Sequence, residues 1–144
     1  MLLAIDIGNT NIVFGVNENN EWRNHWRIQT DPLKMADEYW VIFNSLLKEG
    51  NLRVGEIDHV IISSVVPTLV YPFREMLSKL LPEGDIIQVG PEIYPKLPIK
   101  VLNPFEIGSD LVANAVAAYK KYGKLTTIID FGTALTFTTL GKNA

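Results

Sequence analysis

The strongest constraint on the fold is a short pattern that occurs twice: an apolar residue, aspartate, an apolar residue and glycine. It occupies Ile5–Gly8 near the start of the sequence and Ile129–Gly132 near the end. Each copy stands between two runs of β-type residues, which predicts two antiparallel strands joined by a tight turn. Two interpretations remain open at this point. Either the chain carries a duplicated fold, or the two turns are unrelated, because this pattern makes a good hairpin in any context.

The sequence between the two hairpins alternates strand and helix patterns, which predicts an α/β fold with a mixed sheet and flanking helices. The first hairpin continues into a third strand, so an antiparallel meander is the simplest arrangement. Prolines are dense between positions 91 and 104, which predicts an extended segment. The further predicted elements are strands at Glu21–Ile28, 60–62 (a central strand), 86–89, 125–130 and 134–140, and helices at Lys34–Glu49, from Pro67, and from a Ser109 or Asp110 cap to Gly123.

Composition excludes several classes of protein. The 144 residues include 13 basic and 16 acidic side chains, with a pI of about 5.3, so nothing favours binding to nucleic acid or to an anionic membrane. The absence of cysteine excludes disulfides, thiolate metal sites and thiol nucleophiles. Neither a signal peptide nor an apolar run long enough to span a membrane is evident. We therefore expect a cytoplasmic protein with no nucleic-acid or membrane partner.

Both hairpins carry side chains suited to a magnesium phosphate. Glycine permits positive φ and a close approach of the backbone to a ligand, and Asn9, Thr10 and Thr133 add polar side chains. Asp6 and Asp130 could hold Mg²⁺, which takes only one or two carboxylates from protein in phosphate sites. Two such loops would grip a triphosphate from both sides, whereas one alone is a weak signal.

Asp110 is the candidate base for deprotonating a phosphoryl acceptor. It follows Gly108 and Ser109 at the predicted start of a helix. The structural alternative is that Asp110 caps the helix or interacts with the helix dipole in the first turn.

Five motifs then stand in the order seen in one known family. They are Asp6–Asn11, Ser63–Pro67, Asn103-Pro104 with Gly108–Asp110, Ala113–Ala118 and Asp130–Ala134. Together they resemble the type III pantothenate kinases, also called Bvg accessory factor-like proteins, along the whole chain. The resemblance implies the fold of acetate kinases, sugar kinases and actin, in which two ribonuclease H-like domains enclose ATP. It favours the duplicated-fold interpretation.

The resemblance also implies an activity, the transfer of the γ-phosphoryl group of ATP to pantothenate, which is the first step of coenzyme A synthesis. Asp110 matches the catalytic base, Asp6 matches the acid directed at Mg²⁺, and Asp130 opens the second phosphate loop. The family further requires K⁺ or NH₄⁺ and works as a homodimer. The remaining matched positions are Gly8, Asn9, Thr10, Asn11, Gly132 and Thr133 for the phosphates of ATP, and Val101, Gly108, Ser109 and Leu111, with Asp110, for pantothenate.

Three positions depart from the family pattern. Leu111 stands where the family usually has arginine, Val101 where a tyrosine is common, and Leu135 where the second phosphate motif usually has threonine, although Thr136 follows it. Leucine offers neither charge nor donor to a carboxylate, whereas arginine offers a planar fork of donors. Two alternatives therefore stay open, namely phosphorylation of a different small alcohol, and a non-catalytic nucleotide-binding or regulatory role.

Members of this family are longer than 144 residues. We expect residues 1–122 to form the first ribonuclease H-like domain with a linking helix. We expect residues 123–144 to form the opening hairpin of a truncated second domain. The 144-residue chain alone would then be inactive, since part of the ATP-binding site is missing.

Overall fold

A computed structural model describes residues 1–82, 84–123 and 125–141. The chain divides into two compact units, Met1–Ile87 and Gln88–Ala144. Residues 124 and 142–144 of the predicted second-domain hairpin lie outside the described residues. The domain boundary between residues 122 and 123 stays a prediction.

A five-stranded mixed sheet organises the first unit, with the strands in the order β3-β2-β1-β4-β5. Neighbouring strands β1, β2 and β3 are antiparallel, which confirms the predicted meander, and β4 lies parallel to β1 on its other side. The apolar run at 60–62 therefore belongs to an interior strand, as predicted. The bounds are β1 Leu2–Ile7, β2 Asn11–Glu18, β3 Glu21–Gln29, β4 His59–Ser64 and β5 Asp85–Gln88.

Two helices, α1 (Ala36–Glu49) and α2 (Pro67–Leu80), cover one face of this sheet. Alternate residues of the strands point to that face and are buried, because the side chains of a strand alternate between its two faces. Phe14 of β2 lies at the centre, with ring centroids 5.1 Å from Phe43 of α1 and 6.2 Å from Phe73 of α2. The core residues of the three inner strands are Leu3, Ile5, Ile7, Ile12, Phe14, Val16, Val60 and Ile62.

The limits of both helices follow from local chemistry. The α1 helix begins two residues after the predicted Lys34, since Met35 is its N-cap and the Glu38 carboxylate accepts the Met35 backbone N–H at 2.9 Å. Pro67 opens α2 as predicted, because proline at the first helical position lacks only an N–H that would have no helical partner.

The second unit packs a two-stranded antiparallel hairpin against one helix, α3 (Ser109–Tyr122). The hairpin consists of β6 (Thr126–Phe131) and β7 (Leu135–Leu140). The segment at 91–104 consists mainly of turns and bends, with a short 3₁₀ turn at Tyr94–Lys96, so the prediction of an extended segment is wrong, because consecutive i to i+3 hydrogen bonds coil the chain between Gly90 and Leu97. The small core of this unit comprises Ile99, Ala115, Ala118 and Leu140.

The ends of α3 correct one prediction and confirm another. The N-cap is Gly108, not Ser109 or Asp110, and both of those residues lie inside the helix. Gly123 ends the helix with φ of 60°, the left-handed conformation that glycine adopts without a steric penalty. Among the helices of the described ranges, none has both the length and the apolar character needed to cross a membrane. The α/β class with a mixed sheet and flanking helices is confirmed.

Candidate functional site

Asp6 lies near the carboxyl end of β1, between Val13 of β2 and Ser63 of β4. Its side chain is exposed although β1 is the middle strand of the sheet. Because β1 and β4 are parallel, their carboxyl ends meet at one edge, which is where α/β sheets commonly bind ligands. Asp6 is therefore an exposed carboxylate at the carboxyl ends of two parallel strands.

The turn after β1, called the first loop below and comprising Gly8–Thr10, is tight. The Gly8 N–H donates to the Asn11 carbonyl at 3.0 Å, and a Cβ on Gly8 would approach that same oxygen to 3.1 Å. Gly8 is not at positive φ, so the expectation that it uses that freedom is wrong. Its small size permits the turn instead. The Gly8 N–H is therefore used inside the turn, whereas Asn9, Thr10 and Asn11 are all exposed.

The second hairpin repeats this arrangement with a shorter turn. The Gly132 N–H donates to the Ala134 carbonyl at 3.2 Å, and Thr133 between them is exposed. Gly132 is not at positive φ either, and a Cβ there would meet only an ordinary contact of 3.6 Å. Asp130 occupies the place in β6 that Asp6 occupies in β1, one residue before the last strand residue.

Helix α3 links two of the candidate acids of the second unit. The Asn114 side-chain amide donates to Asp130 Oδ2 at 3.0 Å. Asp110 lies one turn earlier on α3, and residues four apart on a helix are neighbours on its surface, with Cβ atoms about 5 to 6 Å apart. Asp110 and Asp130 therefore lie on the same side of α3. Asp6 belongs to the first unit.

The Asp110 carboxylate is oriented by its own helix. Its Oδ1 accepts the Leu111 backbone N–H at 2.8 Å, an interaction typical of an acid in the first turn of a helix. The buried Tyr94 lies within electrostatic reach. Burial chiefly, and the charge of Asp110 in addition, raise the pKa of the Tyr94 hydroxyl above its ordinary value, so this hydroxyl stays protonated and neutral.

The other predicted acceptor-side residues surround the start of α3 in sequence. Gly108 is the N-cap, Ser109 is a buried first residue, and Leu111 is half-buried. Val101 is half-buried in the segment of turns and bends before the helix. These two apolar side chains provide no donor for a carboxylate.

The donor set suits Mg²⁺ held together with phosphates. Among the described residues there is no cluster of three or more His, Cys, Asp or Glu side chains that could hold a metal ion. Mg²⁺ ordinarily needs only one or two carboxylates and keeps its remaining positions for water and phosphate oxygens. Two carboxylates fit that requirement. Asp6 is exposed near the carboxyl end of β1, and Asp130 has its Oδ2 oriented by Asn114.

Sequence reasoning gave Asn114 no role of its own. The signal was present, since an amide side chain one turn after Asp110 interrupts a helix otherwise rich in small apolar residues. Its partner could not be read from the sequence, because the contact to Asp130 spans 16 positions.

Comparisons with solved structures concern the fold of the chain. The solved structures that resemble the chain include an N-acetylglucosamine kinase from Porphyromonas gingivalis (TM-score 0.53, 14% identity, 100% of this chain and 46% of that one). They also include a ROK hexokinase from Thermus thermophilus (TM-score 0.51, 11% identity, 99% of this chain and 47% of that one). A third is YeaZ from Pseudomonas aeruginosa (TM-score 0.51, 11% identity, 99% of this chain and 61% of that one). At such low identity these likenesses establish the fold alone.

Similarity in sequence is more specific. The type III pantothenate kinase of Moorella thermoacetica is 43% identical over 142 residues, which cover 99% of this chain and 56% of the relative. The chain thus spans a little over half the length of this curated relative. The family model of the type III pantothenate kinases matches residues 2–144. The chain belongs to the type III pantothenate kinase family.

Proposed function

We propose that the whole protein transfers the γ-phosphoryl group of ATP to pantothenate, in the first step of coenzyme A synthesis. The observation that carries this proposal is the family match over residues 2–144, together with the Asp110 and Asp130 pair on one side of α3. Phosphoryl transfer depends mainly on positioning and on neutralising charge. A site built from a few acids and backbone turns is adequate for both.

The two Asp-Gly hairpins would hold the magnesium nucleotide. In this proposal Asp6 and Asp130 are the acids directed at Mg²⁺, directly or through its waters. Bound Mg²⁺ would neutralise phosphate charge and align the γ-phosphoryl group for attack. Residues of the two turns would contact the phosphates: Gly8, Asn9, Thr10, Asn11, Gly132 and Thr133. Support comes from the matching place of the two aspartates in their hairpins.

Asp110 would accept the proton of the acceptor hydroxyl. Its Oδ1 is bonded to the Leu111 N–H, which fixes the plane of the carboxylate relative to α3. A base held in one orientation loses less freedom when the acceptor binds, and positioned bases contribute about 10²- to 10⁴-fold to rate. Gly108, Ser109, Leu111 and Val101 would form the acceptor side of the site.

The apolar side chains at 101 and 111 favour a second candidate function, in which the same site phosphorylates a different small alcohol. Pantothenate carries a carboxylate, and neither Leu111 nor Val101 can donate to it. An alcohol without a negative charge would fit these two positions at least as well. Asp110 and the nucleotide site would keep their roles.

The exposed face of the second hairpin supports the duplicated-fold proposal. When the two hairpins are aligned on their last strand pairs, Ile129, Phe131, Leu135 and Phe137 take the places of Ile5, Ile7, Ile12 and Phe14. The first-hairpin set is buried by α1 and α2, whereas the second-hairpin set is exposed. We propose that residues 123–144 contribute the opening hairpin of a second ribonuclease H-like domain.

We also propose that the whole protein requires K⁺ or NH₄⁺, forms a homodimer and is located in the cytoplasm.

The deciding experiment measures phosphate transfer from Mg-ATP by the whole protein with K⁺ present. Pantothenate is compared with a panel of small alcohols, and Asp110→Asn serves as the variant. We expect turnover of pantothenate in the wild type and a loss of about 10²-fold or more in D110N. Turnover of another alcohol and none of pantothenate would establish the second candidate. A folded wild-type protein that turns over no acceptor would refute both.

A further inference from the structure

Thr30 bonds to both carbonyls that flank Asn9 in the first loop. It follows β3 directly, and its side chain is buried, with 9% of the residue exposed. The Thr30 hydroxyl donates to the Gly8 carbonyl at 2.6 Å. The Thr30 backbone N–H donates to the Thr10 carbonyl at 2.9 Å. A single residue therefore fixes two of the loop's peptide groups.

Thr30 is itself tied to the core of the first unit. The next residue, Asp31, exchanges two hydrogen bonds with the Tyr39 hydroxyl, which donates to the Asp31 carbonyl at 2.8 Å and accepts the Asp31 N–H at 3.2 Å. Tyr39 is fully buried on α1, with its ring centroid 4.7 Å from that of Phe73. A continuous series of bonds thus runs from a core side chain to the first loop.

The geometry of the peptide bond gives this attachment a chemical consequence. In a planar trans peptide the C=O and the following N–H point in opposite directions. Because the Gly8 carbonyl is directed at the Thr30 hydroxyl, the Asn9 N–H is directed away from Thr30. A turn whose carbonyls face the protein presents its N–H groups to an anion. The exposed side chains of Asn9 and Thr10 lie on the same turn.

We propose that Thr30 is a positioning residue for the phosphates of a nucleoside triphosphate. It keeps the Gly8 and Thr10 carbonyls turned toward the protein, so that the Asn9 N–H meets a phosphate oxygen. This inference rests on the proposed function, because it requires the first loop to bind the nucleotide. Thr30 does not touch the reacting atoms and acts through the loop.

The test compares Thr30→Val with Thr30→Ser in the whole protein. Valine keeps the shape and the backbone N–H but removes the hydroxyl, whereas serine keeps the hydroxyl. We expect T30V to raise the KM for ATP about tenfold, as the loss of one buried hydrogen bond predicts, and to leave the KM for pantothenate within about twofold. T30S should restore the KM for ATP to within about threefold of the wild type.

Ser45→Ala is the matched control. The Ser45 hydroxyl also donates to a backbone carbonyl, that of Val41 at 2.8 Å, but on the exposed surface of α1. S45A should leave both KM values unchanged. If T30V does not fold, Tyr39→Phe replaces it, since it removes the bonds to Asp31 and keeps the ring. Y39F should raise the KM for ATP about threefold through the weakened attachment of Thr30.

The outcomes separate this inference from the proposed function. An active enzyme in which T30V leaves the KM for ATP unchanged, or in which T30S is as impaired as T30V, overturns the role of Thr30 alone. If the wild type transfers no phosphate, the proposed function fails. Hydrogen exchange of the Gly8 amide, which donates to the Asn11 carbonyl inside the turn, then decides the structural part in the nucleotide-free protein. About tenfold faster exchange in T30V supports the attachment, and an unchanged rate overturns it.

Discussion

The two Asp-Gly hairpins share a pattern but differ in their surroundings. The β1–β2 hairpin lies inside a five-stranded sheet, and Phe14 on its inner face is completely buried. On the β6–β7 hairpin the matching Phe137 is 65% exposed, while the opposite face packs against α3. Equivalent strand positions therefore contribute differently to stability according to what covers them. The contrast also shows which features belong to the hairpin itself, namely the aspartate before the turn and the glycine N–H bonded inside it.

The largest predicted effect comes from truncating the matched aromatic residues. Phe14→Ala in the 144-residue chain should lower the free energy of unfolding by about 3 to 5 kcal/mol, because it opens a cavity between α1, α2 and the sheet. Phe137→Ala should change it by less than about 0.5 kcal/mol, because the side chain is exposed. Urea unfolding measures both. In the whole protein F137A should become as costly as a core substitution. A small effect there would contradict the duplicated fold.

A smaller effect should follow from removing the amide that orients Asp130. Asn114→Ala deletes a hydrogen bond to a half-buried carboxylate and should lower the free energy of unfolding by about 1.5 kcal/mol. The control is Asn103→Ala, since the Asn103 amide donates to the Glu106 carboxylate at 3.1 Å on the exposed surface. That change should stay below about 0.5 kcal/mol. Equal effects would mean that the Asn114 contact adds no more than a surface interaction.

Alanine at the two turn glycines compares the hairpins directly. A Cβ on Gly8 meets the Asn11 backbone oxygen at 3.1 Å, so the turn has to shift, and Gly8→Ala should cost about 1 kcal/mol. Gly132→Ala meets an ordinary contact of 3.6 Å and should be neutral within about 0.5 kcal/mol, since the backbone there is not at positive φ. Thermal unfolding of both variants checks the order. A larger loss of stability in G132A than in G8A would contradict this order.

The smallest predicted effect concerns pH. The hydrogen bond from the Lys34 ammonium, chiefly, lowers the pKa of the Asp31 carboxyl beside Thr30. A lowered folded-state pKa contributes stability above the unfolded value of about 4, and this contribution is lost as the pH falls through the folded value. The free energies of unfolding of the wild type and of Asp31→Asn should therefore differ slightly at neutral pH and become equal in acid. Denaturation at several pH values checks this, and a difference that grows in acid would contradict it.

The sequence predicted those parts of the fold that depend on local patterns. Alternating apolar residues located the meander, Pro67 located the start of α2, and Gly123 located the end of α3. The cap of α3 was predicted wrongly, because Ser109 and Asp110 are good caps by type, yet the helix begins one residue earlier and uses Asp110 to accept the Leu111 N–H. Positive φ at Gly8 and Gly132 was also wrong: the Gly8 turn needs the small size of glycine instead, and at Gly132 even a Cβ would fit.

For the candidate site, the sequence identified the acids but not the residues that orient them. Asp6, Asp110 and Asp130 were recognised because carboxylates beside glycine follow a pattern within a few positions. Thr30 and Asn114 act on partners 22 and 16 positions away, and such contacts arise only when strands and helices pack. A single threonine after a strand forms no sequence pattern that would predict its hydrogen bond to Gly8.

Binding of Mn-ATP to the whole protein, measured through the paramagnetism of Mn²⁺, tests most directly whether Asp6 and Asp130 are both needed for the metal nucleotide. We predict that Asp6→Asn and Asp130→Asn each weaken the binding of Mn-ATP, because each removes a carboxylate directed at the metal. Asp110→Asn should bind Mn-ATP normally while losing turnover. Normal binding of Mn-ATP by either D6N or D130N would contradict the account.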